Sequence, residues 1–475
     1  MGEFPHQAET AHTKRIVDFI VSSRLEDIPA NGLRVAREAI LDCVGVAVAG
    51  AIEPVGEITA AWAKENGAAG RSTVWGHAFK AAPHDAALVN GTAAHALDFD
   101  DVTWGLIGHP SVSLTGALFA LAEAKGKSGR DLLLAYATGF EVMAKIGRTT
   151  QPAHSLENGW HATISIGTFG ATAACCKLLG LTAEQTAHAL GIAYSMTSGN
   201  PSNFGTMTKP LHAGLAARNG VEAAVLAQKG LTSVPHPFDG PRSFHAVYSR
   251  GLPARMEALD ELGKDYELDI RGVVIKPYPC CVSAHTSIDA ALRLYREDKV
   301  RPADVRAIDI RATRYTYDKL SYHLPSTGLE AKFSANYAVA RAITDGKLTL
   351  GTFTDEAVNE PEIRELVKRV TIRVDDDIDR AWKIGSRPVK MTATLAGGRT
   401  VEKAVDISKG NPEVPLTREE LETKFLDCTT LVLSQQAARR ALDMLTRLEE
   451  VASIGEINKL LAGEAVSERV LVSAE

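Results

Sequence analysis

Hydrophobic residues recur with helical spacing from Thr13 to about Gly263. Leu33, Ile40 and Val44, for example, are spaced so that they share one face of a helix. Further helices are predicted over Ser111–Ala124, Asp131–Ile146, Ile164–Leu179, Ala183–Tyr194 and His212–Lys229, with stops at Gly126, Gly180 and Gly230. Several of these segments lack a polar stripe, which predicts helices buried among other helices in a large bundle.

The pattern changes near Leu268, where alternation with a period of two begins to appear. In Val305–Thr313, the residues Ile308 and Ile310 point one way and Asp309 and Arg311 the other, as in a half-buried strand. Further strands are predicted at Val370–Val374 and in a hairpin of Val389–Leu395 and Val401–Ile407 around Gly397-Gly398. Helices are predicted between these strands at His285–Glu297 and Lys332–Thr344. This mixture predicts a small α+β domain.

After Pro415 the pattern is helical again, from a capping Thr417 to Leu461 with one break. The predicted fold class is therefore mainly α with a smaller α+β domain. Residues 1–267 and 409–475 are expected to form one discontinuous all-helical domain, and residues 268–408 an inserted α+β lid. A cleft is expected where the two domains join.

Composition excludes several classes of function. The 475 residues are 45% hydrophobic and 23% charged, with a net charge of −6 and no Lys/Arg-rich block, so no nucleic-acid partner is expected. No apolar run of about 20 residues and no secretory leader are evident, so no membrane partner is expected. The six cysteines show neither C-x-x-C nor zinc-ligand spacing, which favours reduced thiols in the cytoplasm.

The densest polar cluster runs from His95 to Ser111 and contains three carboxylates within four residues, Asp98, Asp100 and Asp101, followed by His109. Like charges so close repel one another unless cations, a metal or hydrogen-bond donors offset them. Three interpretations stay open at this point: a solvated helix end capped by His109, a divalent metal site, and an acid motif similar to that of class II terpene cyclases. The terpene cyclase interpretation lacks the aromatic walls that carbocations need, because only 6% of the residues are aromatic.

Two lysines, Lys209 and Lys276, each stand directly before a proline. Proline restricts the preceding residue, so both lysines are expected in extended or turn backbone just before a helix begins. Positive charge beside a helix N-terminus is a receptor for carboxylates, although a loop lysine on the surface is the simpler alternative for either one alone. His161 stands at the start of an Ala/Gly-rich helix, where a structural histidine is more common than a catalyst. Tyr315 and Tyr317 follow a strand and, in alternation, are expected to share one face.

Four ordered motifs together resemble the MmgE/PrpD family over essentially the whole chain. They are Asp98-Phe-Asp-Asp with His109-Pro-Ser, Gly159-Trp-His161, Lys209-Pro-Leu-His212-Ala-Gly, and Lys276-Pro-Tyr-Pro-Cys with His285. The resemblance implies a large helical domain from both chain ends with an inserted α+β lid, a homodimer, and no metal or organic cofactor.

The resemblance also implies a set of site residues. Candidates for catalysis are His109, His161, Asp98 and Tyr317, and candidates for substrate binding are Lys209, Lys276, Thr103 and His285. Thr103 is the weakest match, because Val102 can take the same place in the motif. We expect the lysines to hold substrate carboxylates, the histidines to move the proton, Asp98 to orient a histidine, and Tyr317 to bind or protonate substrate.

The resemblance implies chemistry beside a carboxylate of a small polycarboxylate. Reactions in the family are dehydration of 2-methylcitrate, decarboxylation of cis-aconitate and epimerisation of iminodisuccinate. We predict a lyase, a dehydratase before a decarboxylase, with an epimerase of an iminodiacid as the alternative. A non-catalytic protein that binds a small acid is the alternative of another class.

Overall fold

A computed structural model describes residues 11–250, 252, 254–383 and 385–463. These residues fall into two compact units. The first comprises residues 11–96, 100–273 and 418–463, and the second residues 97–99 and 274–417 of the described chain. The sequence places the boundaries after residues 267 and 408, and it does not anticipate that residues 97–99 belong with the second unit.

The first unit is built from long helices. They are Ala11–Ser22, Ala30–Gly50, Pro54–Asn66, Pro83–Ala96, Pro110–Lys125, Gly129–Thr150, Gly167–Leu179, Ala183–Met196, Thr208–Gln228, Arg418–Thr429, Gln435–Thr446 and Ile454–Leu461, with short helices at Ala153–Leu156, Ala162–Ser165, Phe244–Tyr248 and Glu267–Ile270. The helices predicted from spacing are present, and Gly126 and Gly180 end theirs in the left-handed conformation that glycine favours. A hairpin of strands β1 (Ala69–Val74) and β2 (Phe79–Ala81) also lies in this unit and was not predicted.

Three helices approach closely at glycines. A side-chain carbon on Gly91 would lie 3.0 Å from Gly214, and one on Gly116 would lie 2.9 Å from the Gly91 nitrogen. The helices Pro83–Ala96, Pro110–Lys125 and Thr208–Gln228 that carry these glycines therefore pack backbone to backbone. This packing gathers the ends of the helices where His95, His109 and Lys209 lie.

One segment of this bundle is apolar enough to resemble a membrane span. Among the described residues, the segment Ala162–Leu179 is by itself long and apolar enough to cross a membrane. However, 89% of its 18 residues are buried inside the protein. Burial of this kind is typical of a core helix.

The second unit contains a four-stranded sheet of β3 (Val305–Ala312), β4 (Val370–Val374), β5 (Val389–Leu395) and β6 (Thr400–Val405) in the order β4-β3-β5-β6. Strand β3 pairs parallel with β4 and antiparallel with β5, and β5 pairs antiparallel with β6. Its helices are His285–Arg296, Arg314–Lys319, Gly328–Ala331, Ala335–Asp345, Asp355–Val358, Pro361–Val367 and Asp376–Ala381. The predicted alternation in β3 is confirmed, since Ile308, Ile310 and Ala312 are buried and Asp309 and Arg311 are not. The fold is thus mainly helical with a small α+β part, as predicted.

Candidate functional site

The centre of the polar cluster is a carboxylate between two imidazoles. His95 lies in the last turn of Pro83–Ala96, and His109 is the residue that caps Pro110–Lys125. Asp100, in the loop between these helices, has Oδ1 2.9 Å from His95 Nδ1 and Oδ2 2.7 Å from His109 Nδ1. All three residues belong to the first unit.

The charges at this centre follow from burial and contact. Burial alone would raise the pKa of the Asp100 carboxyl, but His95 and His109 hold it well below its usual value. Burial lowers the pKa of His95 to about 3, so His95 is neutral at pH 7. Asp100 is therefore an anion that accepts a hydrogen bond from each imidazole. Asp100 fixes the ring of His109 in the way that a carboxylate orients a catalytic histidine.

The role of orienting a histidine was predicted for Asp98 and stays a prediction, whereas Asp100 is the carboxylate that bonds to both imidazoles within the first unit. Asp98 lies in the second unit with Lys276, whose Nζ is 2.5 Å from Asp98 Oδ1 and donates to the Asp98 carbonyl oxygen at 2.8 Å. Lys276 is 0% exposed, and Asp98 is buried with it. The two side chains therefore form a buried ion pair in which the opposite charges offset each other. Asp98 has a φ of 52°, a left-handed conformation that aspartate tolerates better than most residues.

Asp101 explains how a third carboxylate fits beside the other two. Its Oδ2 accepts from Ser111 Oγ at 2.6 Å, and its Oδ1 accepts from the Ser111 backbone at 3.2 Å. Burial, reinforced by Asp100 and Asp42, raises the pKa of Asp101 to about 8. Asp101 is thus mostly protonated at pH 7. Each carboxylate is therefore stabilised in a different way. Asp98 pairs with Lys276, Asp100 accepts from two imidazoles, and Asp101 keeps its proton.

A second pair of imidazoles lies in the same unit. His161 caps the short helix Ala162–Ser165, and its Nδ1 is 2.9 Å from Nδ1 of His212 on Thr208–Gln228. The His161 ring lies edge-on to Phe204, with centroids 5.0 Å apart. The ring of His161 is also 6.4 Å from that of His95, so the two imidazole pairs are neighbours.

Lys209 supplies positive charge to this group of histidines. Its Nζ lies 5.6 Å from the centre of the Phe204 ring, and its charge helps to lower the pKa of His95, His161 and His212, in each of which burial is the larger cause. The backbone expected at Lys209 was wrong, because the residue lies inside Thr208–Gln228 rather than before it. Pro210 is tolerated there because the first turn of a helix needs no N–H donor from it.

The remaining predicted site residues lie in different surroundings. Thr103 is buried, pairs through its backbone with Gly108, and has no hydrogen-bond partner for its Oγ1 among the described residues. His285 begins the helix His285–Arg296 inside the second unit and donates from Nε2 to the Cys280 carbonyl at 3.2 Å. Its complete burial is typical of a structural histidine.

The shared face expected for Tyr315 and Tyr317 was wrong. Both lie on the helix Arg314–Lys319 rather than on an extended strand, so residues two apart point in different directions. Tyr315 stacks on Trp382 with ring centroids 5.4 Å apart, whereas Tyr317 contacts His323 at 5.6 Å. Tyr317 stays half-buried in the second unit.

The same cluster can be considered as a metal site. Ligand atoms of His95, Asp100 and His109 lie within 4.8 Å of one another, a spacing that a divalent cation can bridge. The distances of 2.9 and 2.7 Å are also those of hydrogen bonds between the three side chains. Both interpretations use the same three residues, and chelation distinguishes them.

Three residues of this site were not assigned a role from sequence: His95, Asp100 and His212. His212 stands three residues after Lys209, a spacing that places both on one face of a helix. That signal was available. The sequence gives no signal that Asp100 rather than Asp98 bonds to the two histidines, because that contact depends on the conformation of a loop, which has no periodic pattern.

Comparison with known families gives two matches in sequence order. The MmgE/PrpD N-terminal domain matches residues 14–257, and the MmgE/PrpD C-terminal domain matches residues 278–450.

Individual relatives are similar over different lengths. The chain is 31% identical to cis-aconitate decarboxylase of Mus musculus and 32% identical to that of Homo sapiens, covering 92% and 91% of this chain and 90% and 91% of those proteins. It is 25% identical to 2-methylcitrate dehydratase of Escherichia coli strain K12, over 62% of this chain and 63% of that protein.

Proposed function

The chain belongs to the MmgE/PrpD family, and from that membership we propose that it is a lyase that decarboxylates cis-aconitate or a closely related tricarboxylate. The observation that carries the proposal is the cluster of His109, Asp100, His161 and Lys209 in one unit. It combines a histidine oriented by a carboxylate with a buried cation, which are the groups that a proton transfer beside a carboxylate requires.

The chemistry explains why both kinds of group are needed. When the bond between carbon and a carboxylate breaks, carbon dioxide leaves and the electron pair stays on the remaining carbon. Neighbouring unsaturation and nearby positive charge stabilise that pair until a proton is added. Lys209 supplies fixed positive charge, which is more effective in a buried site than in water. His109, held by Asp100, delivers the proton from Nε2 when it is protonated.

Decarboxylation is preferred over dehydration on the extent of similarity. Sequence motifs alone favoured a dehydratase, but the decarboxylases from mouse and human are similar over nine-tenths of the chain and the dehydratase over 62% of it. Dehydration of 2-methylcitrate is the second candidate because of that shorter match. The epimerase alternative is not supported by a match of this kind, and it is tested by including iminodisuccinate in the experiment below.

Other proposals accompany the activity. We propose a cytoplasmic homodimer that uses no metal or organic cofactor. All six cysteines are free thiols, which supports a reducing compartment. Thr103, Lys276 and His285 remain proposed substrate-binding residues, and Asp98 and Tyr317 remain proposed catalytic residues, all to be tested by substitution one at a time.

The activity is tested by incubating the purified chain with cis-aconitate, 2-methylcitrate and iminodisuccinate in D₂O and following each by NMR. We expect loss of a carboxyl carbon from cis-aconitate, with one deuterium at either end of the allylic carbanion that the loss leaves. Water loss from 2-methylcitrate alone would favour the dehydratase. Exchange of iminodisuccinate without net conversion would favour the epimerase, and no change with any acid would favour a binding protein.

A further inference from the structure

The contact between His161 and His212 constrains their protons. The two Nδ1 atoms are 2.9 Å apart, and both residues are only 5% exposed. A hydrogen bond between two ring nitrogens needs one N–H and one lone pair. One of the two histidines must therefore donate from Nδ1, and the other must accept at Nδ1.

Both rings are held in the neutral form. Burial, followed by the charge of Lys209, lowers the pKa of His161 well below its usual value, and the same two causes lower the pKa of His212. A neutral imidazole carries one proton, so the nitrogen that bonds across the pair decides the state of the other nitrogen. Only two arrangements remain. His161 carries its proton either on Nε2 or on Nδ1, and His212 takes the opposite one.

Backbone hydrogen bonds and one aromatic contact hold His161 in place. The His161 backbone nitrogen donates to Gly199 at 3.2 Å, and Ser165 Oγ donates to the His161 carbonyl at 3.2 Å. Phe204 lies against the ring, edge to face. Within the described part of the chain, His161 Nε2 makes no hydrogen bond, so this nitrogen is available to a ligand.

We propose that His212 is a positioning residue that donates Nδ1–H to His161 and so keeps the proton of His161 on Nε2. This inference rests on the proposed function. A polycarboxylate is an anion that offers only acceptors, so a neutral imidazole that binds it must donate a hydrogen bond. His161 Nε2 can donate only if His161 Nδ1 is a lone pair, which requires His212 to be the donor. His161 is then a hydrogen-bond donor to substrate, whereas His109 moves the proton.

The tautomers are tested directly by NMR on the full chain labelled with [¹⁵N]histidine, without substrate. Signals of the two residues are assigned by their loss in H161Q and H212Q. We expect His161 to be protonated at Nε2 and His212 at Nδ1. The opposite pattern overturns the proposal, whether or not the chain decarboxylates cis-aconitate, so this readout is independent of the proposed function.

Activity supplies the second arm. In H212N the side-chain amide occupies the position of Nδ1 and can still donate, whereas H212F keeps a ring with no donor. With cis-aconitate we expect H212N to keep kcat/KM within about 10-fold of wild type, and H212F to lose roughly 10²-fold, mainly through KM, because binding is affected more than chemistry. H245Q, at a buried histidine elsewhere in the unit, is the control for folding. An H212F enzyme with wild-type KM overturns the proposal, and if H212F does not fold the tautomers still decide it.

Discussion

Asp100 Oδ2 lies 2.7 Å from His109 Nδ1, and the same carboxylate reaches His95 through its other oxygen. The contact fixes both the ring orientation and the tautomer of His109, because the ring must donate from Nδ1. His109 Nε2 is thereby the nitrogen to which we assign the proton transfer.

The first prediction compares two adjacent carboxylates. Asp100→Asn removes the charge that orients His109, and we expect kcat/KM with cis-aconitate to fall by about 10²-fold or more, the scale of lost acid–base catalysis. Asp101→Asn is the matched control, since burial already raises the pKa of Asp101 to about 8 and keeps it protonated at pH 7. Steady-state kinetics of both variants check this. An equal loss of kcat/KM in the two variants would show that Asp100 has no particular role in orienting His109.

The second prediction concerns acid stability. Burial, reinforced by His12, lowers the pKa of His245 to about 4, and burial lowers the pKa of His154 to about 3. Between these values and 6.5 the unfolded chain binds more protons than the folded one, so the free energy of unfolding falls as the pH falls from 6.5 towards 4.

His245→Gln tests this dependence. The glutamine amide can reach Thr149, which lies 2.6 Å from His245 Nε2, but it does not titrate. We expect its free energy of unfolding, from urea titrations, to fall less steeply with acid than that of wild type, by up to about 1.4 kcal/mol per pH unit, the value for one proton. Identical slopes would show that His245 titrates normally in the folded state.

The third prediction is a double-mutant cycle on the buried pair of Lys276 and Asp98. Lys276→Met removes the cation that pairs with the buried Asp98 carboxylate, and we expect a loss of about 3–5 kcal/mol in the free energy of unfolding. Asp98→Asn combined with Lys276→Met should recover part of that loss, because neither charge is then buried alone. Urea denaturation of the four proteins measures the coupling. Additive losses would mean that the two side chains do not stabilise each other.

Periodicity was a good guide to regular structure. Pro110–Lys125 and Gly129–Thr150 lie within a few residues of their predictions, and the strands at 305–312 and 370–374 were found by alternation alone. These elements bury a repeating face, which the sequence records directly. The hairpin at 69–81 was missed, because it is short and begins with exposed residues.

The site was partly predictable for a different reason. His109, His161 and Lys209 stand in motifs with unusual polar residues, and the structure gathers them in one unit. The partners that set their protonation, Asp100 and His212, could not be chosen from sequence because contact across loops and between helices selects them. The prediction that Tyr315 and Tyr317 share one face was wrong, because a helix rather than an extended segment follows β3.

The fourth prediction concerns metals. If His95, Asp100 and His109 form a hydrogen-bonded cluster rather than a metal site, dialysis against a chelator should leave the rate of cis-aconitate turnover unchanged. Metal analysis of the purified protein should find less than one equivalent of any divalent ion. Loss of activity that added metal restores would establish the metal interpretation.

The central claim is that His109 delivers a proton after a carboxylate is lost. Cis-aconitate labelled with ¹³C in its carboxyl groups should release labelled carbon dioxide with the wild-type chain and with His245→Gln, and His109→Gln should lower kcat by about 10²-fold or more while the protein remains folded. Release by His109→Gln at the wild-type rate, or none by the wild-type chain, would contradict the account.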